Sequence, residues 1–162
     1  SKLLLEKSAQ VVLFDDKHEN ELRYFSKDDF TFFKNFSTAF GPNAIPKLDC
    51  DYVVISPGIS LKHPLIIKAL EKNIPILGEI DLALQFLDSV NIIGVTGTNG
   101  KSTTTVMIES IFKEAGFNVK ACGNLGLPLS QIAQKNDYEV LVLELSSFQL
   151  ESMSNKALKA AV

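Results

Sequence analysis

The sequence predicts an α/β fold built on mostly parallel sheets. Three observations carry that prediction: short β-branched runs recur along the chain, helical patterns separate them, and one run leads through a glycine-rich turn into a helix. Strands are expected near residues 11–14, 52–56, 74–77, 92–96, 119–122 and 138–144, each an apolar segment of strand length. Helices are expected near 64–72, 81–87, 101–115 and 129–134. His63-Pro64 reads as the start of the first, because proline suits the opening turn of a helix, and Gly116 as the stop of the third. Between the early strands lie Phe25, Phe30, Phe32, Phe33, Phe36 and Phe40, which read as local core because their periodicity is weak and charged residues intervene. A boundary is expected around residues 87–90, where a helical pattern ends and a strand begins. The expected division is therefore one α/β unit over 1–89 and another over 90–162.

Composition sets limits on partners and compartment. With 162 residues, 46% of them hydrophobic, the chain can form one ordinary domain or two small ones. A formal net charge of -3 with scattered Lys and Arg gives no electrostatic footprint for nucleic acid. Cys50 and Cys122 are far apart and in no metal-ligand spacing, which argues against a disulfide framework or structural zinc and for a reducing, cytoplasmic setting. Apolar stretches such as 140–143 fall far short of the roughly 20 residues that cross a bilayer, so no membrane span is expected. The opening carries no secretory pattern. The chain begins on Ser1 without methionine and closes on Lys159-Ala160-Ala161-Val162, which reads as a strand starting; both ends lead us to expect a fragment of a longer protein.

Chemistry concentrates in Gly94-Val95-Thr96-Gly97-Thr98-Asn99-Gly100-Lys101-Ser102-Thr103, a strand, a glycine turn and a helix start. Glycines allow the backbone to fold tightly so that its N–H groups converge on phosphate oxygens, and the helix N-terminus behind them adds positive potential. Lys101 can reach the β- and γ-phosphates, and the Ser102 hydroxyl can coordinate magnesium. The usual phosphate-loop spacing asks for glycine six residues before the lysine; Val95 stands there, and Gly97 takes up part of that role. A dinucleotide turn would need neither the lysine nor the hydroxyl, so a nucleoside triphosphate with Mg2+ is the expected ligand, bound by Gly97, Thr98, Asn99, Gly100, Lys101, Ser102 and Thr103.

A second signal is the apolar run Tyr138-Glu139-Val140-Leu141-Val142-Leu143-Glu144, which ends in an acid. Strand ends are where α/β sheets collect ligands. If this strand lies beside that of the phosphate loop, Glu144 faces the metal held by Ser102, and Lys101 and Glu144 become the catalytic pair. Otherwise Glu144 is a solvated strand terminus. Ser56-Pro57-Gly58-Ile59-Ser60 and Gly123-Asn124-Leu125-Gly126 also follow strands, and each read alone is a tight turn. His18 and His63 show no catalytic or metal spacing and read as structural.

Taken together, Ser56-Pro57-Gly58-Ile59, Gly97-Thr98-Asn99-Gly100-Lys101-Ser102-Thr103, Gly123-Asn124-Leu125-Gly126-Leu127-Pro128 and Leu143-Glu144-Leu145-Ser146-Ser147-Phe148-Gln149-Leu150-Glu151 resemble the Mur ligase family in order and spacing. The last segment resembles the D-glutamate-adding members. The resemblance implies a Rossmann-like domain holding a UDP-linked substrate over 1–89, its start missing. It further implies the front of a P-loop ATP-binding domain over 90–162 and an absent C-terminal domain that presents the amino acid. The implied reaction joins D-glutamate to UDP-N-acetylmuramoyl-L-alanine through an acyl phosphate at the expense of ATP, in a cytoplasmic, monomeric enzyme of peptidoglycan synthesis. By the same resemblance Ser56, Gly58, Asn124, Ser146 and Gln149 contact the substrate, and Asp15 approaches the uracil, although Asp16 follows where a related enzyme has threonine. The downstream histidine and carbamylated lysine of the family's metal site would lie outside this chain, so the piece alone is expected not to catalyse. A folylpolyglutamate synthase shares the loop but not the Ser-Pro-Gly-Ile or Ser-Ser-Phe-Gln segments. A non-catalytic ATP-binding module, or a generic P-loop kinase or GTPase, would need the loop alone; no Asn-Lys-x-Asp guanine motif occurs.

Overall fold

A computed structural model describes residues 1–23, 25–87, 89–135, 137–153 and 158–162. Asp88, within the expected linker, and the side chain of Glu151, at the end of the last motif, lie outside the described residues. The chain divides into two compact units, Ser1–Cys50 and Asp51–Val162. The boundary expected near residue 89 thus falls inside the second unit.

In the first unit, helix α1 (Lys2–Glu6) precedes strand β1 (Val11–Asp15), and strand β2 (Phe36–Phe40) lies parallel to β1 with Val11 opposite Phe36 and Asp15 opposite Phe40. Two 3-10 turns, Glu19–Glu21 and Lys27–Phe30, make up part of the connection. The phenylalanines form a ring cluster: Phe30 stacks on Phe36 at 4.4 Å and on Phe25 at 5.7 Å, and Phe25 meets Phe40 edge to face at 5.0 Å. Such pairs add about 0.5–1.5 kcal/mol each beyond the area they bury. Phe32 departs from the expected local core, for it is 91% exposed. Strand β2 carries no turn signal or clean alternation of its own, and its ring contacts and pairing with β1 define it.

The second unit alternates strand and helix. Strand β3 (Val53–Ile55), helix α2 (Pro64–Glu71), strand β4 (Ile76–Gly78) and helix α3 (Glu79–Leu84) come first, with β3 and β4 parallel. His63 caps α2: its Nδ1 accepts the Leu65 N–H at 3.2 Å, with Pro64 in the first turn. Strand β5 (Asn91–Val95), helix α4 (Lys101–Glu114), strand β6 (Val119–Gly123), helix α5 (Leu129–Ile132), strand β7 (Val140–Glu144), helix α6 (Ser147–Ser152) and strand β8 (Ala160–Ala161) follow. These strands make one parallel sheet in the order β6-β7-β5-β8. Helix α4 stops where Gly116 takes φ +88° and donates its N–H to the Lys113 carbonyl.

Every residue of β7 is buried, as its unbroken apolar run requires in the middle of a parallel sheet. Complete burial of Leu141 and of Leu143 contributes about 1.5–3 kcal/mol each. Helix α3 packs on α5 and α6 on β4, which binds the β3–β4 layer to the larger sheet. A carboxylate oxygen of Glu79 accepts the Ser130 N–H at 2.7 Å across that contact. Among the described residues no helix is long and apolar enough to cross a membrane.

Candidate functional site

The loop between β5 and α4 is built from the backbone up. Gly100, the residue before α4, sits at φ +79°, a left-handed conformation that costs an L-residue with a Cβ about 1–2 kcal/mol. Gly97 at φ +135° makes the other bend, so the departure from the usual spacing at Val95 leaves a tight turn in place. Residues 96–100 are all exposed. The N-cap residue, Gly100, has no side chain to cap α4, so the first turn offers N–H groups at the positive end of a helix of 14 residues. The Lys101 ammonium folds back and donates to the Gly97 carbonyl at 2.8 Å, which holds the cation over the loop it would share with an anion. Ser102 and Thr103 follow, both exposed.

Parallel pairing sets Val95 opposite Glu144 on one side and Gly123 opposite Glu144 on the other. Glu144 therefore stands at the carboxyl end of β7, between the β5–α4 loop and the turn after β6. It is 1% exposed. One carboxylate oxygen, Oε1, accepts Nδ2 of Asn124 at 2.8 Å, and the backbone carbonyl of Glu144 accepts the Asn124 N–H at 2.9 Å. The other oxygen, Oε2, is buried with no hydrogen-bond partner among the described residues. Gly123 makes this approach possible, because a Cβ there would lie 2.5 Å from the Glu144 carbonyl oxygen. Beyond β7, the Leu145 N–H donates to the Val95 carbonyl at 2.8 Å and the Leu145 carbonyl accepts the Thr96 hydroxyl at 3.1 Å, so the base of the loop is fastened to the chain leaving Glu144.

Ser146 and Gln149 form a reciprocal cap on α6. The Ser146 Oγ accepts the Gln149 N–H at 3.3 Å, and the Gln149 side-chain oxygen accepts the Ser146 N–H at 2.8 Å. Ser56 and Gly58 close an exposed turn after β3, with Gly58 at φ +87°, on a different sheet from the loop. Asp15 belongs to the first unit, where it ends β1, accepts the Lys17 N–H at 2.9 Å and lines an open cavity of about 920 Å³ with Lys17, Arg23, Phe25 and Phe40. Of the residues singled out in the sequence, the structure joins Glu144 with Asn124, Lys101 with Gly97, and Ser146 with Gln149.

Several residues that shape the site carried no sequence signal of their own. Thr96 tethers the loop, and Glu109 of α4 accepts the Ala121 N–H of β6 at 2.8 Å, fixing helix to sheet. Thr105, one turn into α4, is wholly buried with a hydroxyl unpaired among the described residues. Cys122 is buried beside Gly123; burial first, then the carboxylates of Glu79 and Glu109, push its thiol from 9.0 up to about 12. It is a packing residue that stays protonated at neutral pH.

Residues 95–162 match the family model of the Mur ligase middle domain. Among curated proteins, the UDP-N-acetylmuramoylalanine–D-glutamate ligase of Synechocystis sp. is 36% identical over 155 residues, covering 94% of this chain and 34% of that protein. The protein of that name from Caldicellulosiruptor saccharolyticus is 38% identical over 157 residues, with 94% of this chain and 34% of the relative covered. That from Pelotomaculum thermopropionicum is 40% identical over 167 residues, covering 100% of this chain and 35% of the relative. The chain spans about a third of the length of the curated relatives it matches.

Proposed function

The chain belongs to the Mur ligase family, and from that premise we propose that it is part of an ATP-dependent ligase. The reaction joins the amine of D-glutamate to the L-alanyl carboxylate of UDP-N-acetylmuramoyl-L-alanine. The observation that carries the reading is the pairing of Val95 with Glu144, which sets a buried acid at the mouth of a phosphate loop.

A carboxylate forms an amide only after its oxygen becomes a better leaving group. Attack of the alanyl carboxylate on the γ-phosphorus of ATP gives an acyl phosphate and ADP; the D-glutamate amine then adds to the acyl carbon, phosphate leaves, and the amine proton passes to solvent or a base. Negative charge grows on the phosphate oxygens in the first step and on the acyl oxygen in the second. Lys101 and the N–H groups of Gly97 through Thr103 are the donors this chain offers to the phosphates. The bare Oε2 of Glu144 and the exposed Ser102 hydroxyl suit a hard cation, and magnesium held there would supply positive charge to the phosphate oxygens. Oxygens of the nucleotide, with the histidine and carbamylated lysine that the resemblance puts outside this chain, would complete the shell.

Substrate contacts are assigned to Asp15 at the uracil, Ser56 and Gly58 along the UDP-sugar, and Asn124, Ser146 and Gln149 nearer the reacting end. The cavity beside Asp15 is of ligand size and joins the faces of Phe25, Phe30 and Phe40 to balanced charges, Lys2, Lys17 and Arg23 against Asp15, Glu21 and Asp29. Residues 1–89 then serve the UDP end and 90–162 the ATP end of a cytoplasmic, monomeric enzyme that needs neither nucleic acid nor membrane. Phosphate release from ATP by the full-length protein tests the reading, with UDP-N-acetylmuramoyl-L-alanine present and D-glutamate added or withheld. Release that requires both substrates is expected; release indifferent to both would leave a nucleotide-binding module in its place.

A further inference from the structure

Glu144 stands in the site with Oε1 bonded and Oε2 without a partner among the described residues. A buried carboxylate oxygen without a partner is costly, since its desolvation is not offset. The same carboxylate is nevertheless held twice by a single residue: Asn124 donates its backbone N–H to the Glu144 carbonyl at 2.9 Å and its Nδ2 to Oε1 at 2.8 Å. Main chain and side chain of the acid are thus fastened to one point across the β6–β7 pairing. Gly123 gives the close approach this needs, and its N–H is bonded to the Leu127 carbonyl at 2.9 Å, which closes the turn that carries Asn124. The chemistry of the donor matters as much as its place. A lysine or arginine at position 124 would orient the acid but neutralise it; an amide orients the carboxylate and leaves its full negative charge for a cation.

We propose that Asn124 is a positioning residue that acts through Glu144, engaging Oε1 so that Oε2 is kept for the cation of the ATP complex. The role rests on the magnesium-ATP reading above and is added to the substrate contact proposed there for Asn124. Groups that hold metal-binding carboxylates in place typically change metal affinity about 10–100-fold when removed.

Mn2+ in place of magnesium gives a readout independent of turnover, because free and bound ions are distinguished by their paramagnetic resonance. Mn2+ is titrated into the full-length protein with a non-hydrolysable ATP analogue, using wild type, Asn124→Ala, Glu144→Gln and the double variant. Asn124→Ala should weaken Mn2+ binding by about 10–100-fold, whereas the same change in the Glu144→Gln background should cost less than about twofold, as expected of residues that act through one another. Asn124→Ser, too short to reach Oε1, should reproduce the loss and guards against a variant that fails to fold. The KM for the UDP-linked substrate should change less than the Mn2+ affinity. Wild-type Mn2+ affinity in Asn124→Ala and Asn124→Ser, or equal losses in both backgrounds, would overturn the positioning role while wild-type ligase turnover leaves the proposed function standing. A wild-type protein that neither binds Mn2+ with nucleotide nor forms the amide would overturn both.

Discussion

Replacing Gly123 by alanine tests the contact on which the geometry of Glu144 depends. The added Cβ would lie 2.5 Å from the Glu144 carbonyl oxygen and 2.7 Å from Cδ1 of Leu143. Leucine can turn away; a carbonyl fixed in the middle strand of the sheet cannot. The left-handed φ of +96° adds about 1–2 kcal/mol for any residue with a Cβ, and overpacking a buried contact costs about 1–3 kcal/mol. A loss of about 2–5 kcal/mol is therefore expected, which lowers the urea midpoint by about 1–2 M for ordinary slopes. Gly126→Ala provides the control: Gly126 has φ +76° but no atom within 4 Å of the added carbon, so only the conformational cost of about 1–2 kcal/mol should be seen. Equilibrium unfolding of both variants against wild type measures the difference. A Gly123→Ala midpoint no lower than that of Gly126→Ala would refute the claim that β6 and β7 need a glycine at their closest approach.

Lys101→Ala should lower ligase turnover roughly a thousandfold, about 4 kcal/mol of lost stabilisation of the transferring phosphate; steady-state phosphate release checks it, and retained turnover would remove the lysine from the phosphate site. Glu144→Gln should raise the magnesium concentration needed for half-maximal rate, and an unchanged magnesium dependence would exclude Glu144 from the cation's shell. A disulfide reagent at pH 8 should titrate exposed Cys50 quickly and Cys122 only after unfolding. Because the folded state holds the Cys122 proton up to about 12 and the unfolded chain releases it near 9.0, this thiol's contribution to stability is full below pH 9 and drains as pH rises toward 12. Unfolding followed across that range with Cys122→Ala as reference should show a shallower decline for the variant.

Much of the fold was legible because strand and helix periods are local. The run expected at 138–144 is β7 from Val140 to Glu144, and the helix expected at 101–115 is α4 from Lys101 to Glu114, bounded by two glycines. Helix α3 begins at Glu79, two residues before its expected start, since Gly78 is extended and lets the first turn form at the end of β4. Strand β2 was hidden, because Phe36 to Phe40 alternate poorly and the strand is defined by its register with β1. Helix α6 had a local signal, the serine and glutamine three apart at 146 and 149, that is easily read only as chemistry.

By itself the sequence determined the glycine turn between β5 and α4 and the lysine and hydroxyl that follow it, since they succeed one another along a strand, a turn and a helix, and short-range geometry sets their placement. It could name Glu144 and Asn124 without joining them. Tertiary structure decided that pair: Asn124 lies 20 residues before Glu144 in the chain, and the bond at 2.8 Å exists because β7 is buried between β5 and β6 in one particular parallel register. A slip of one residue would turn the acid to the other face of the sheet; the apolar run of β7 suits either face, so the register is marked at its ends, where Glu139 accepts the Asn118 N–H and Gly123 admits the Glu144 carbonyl.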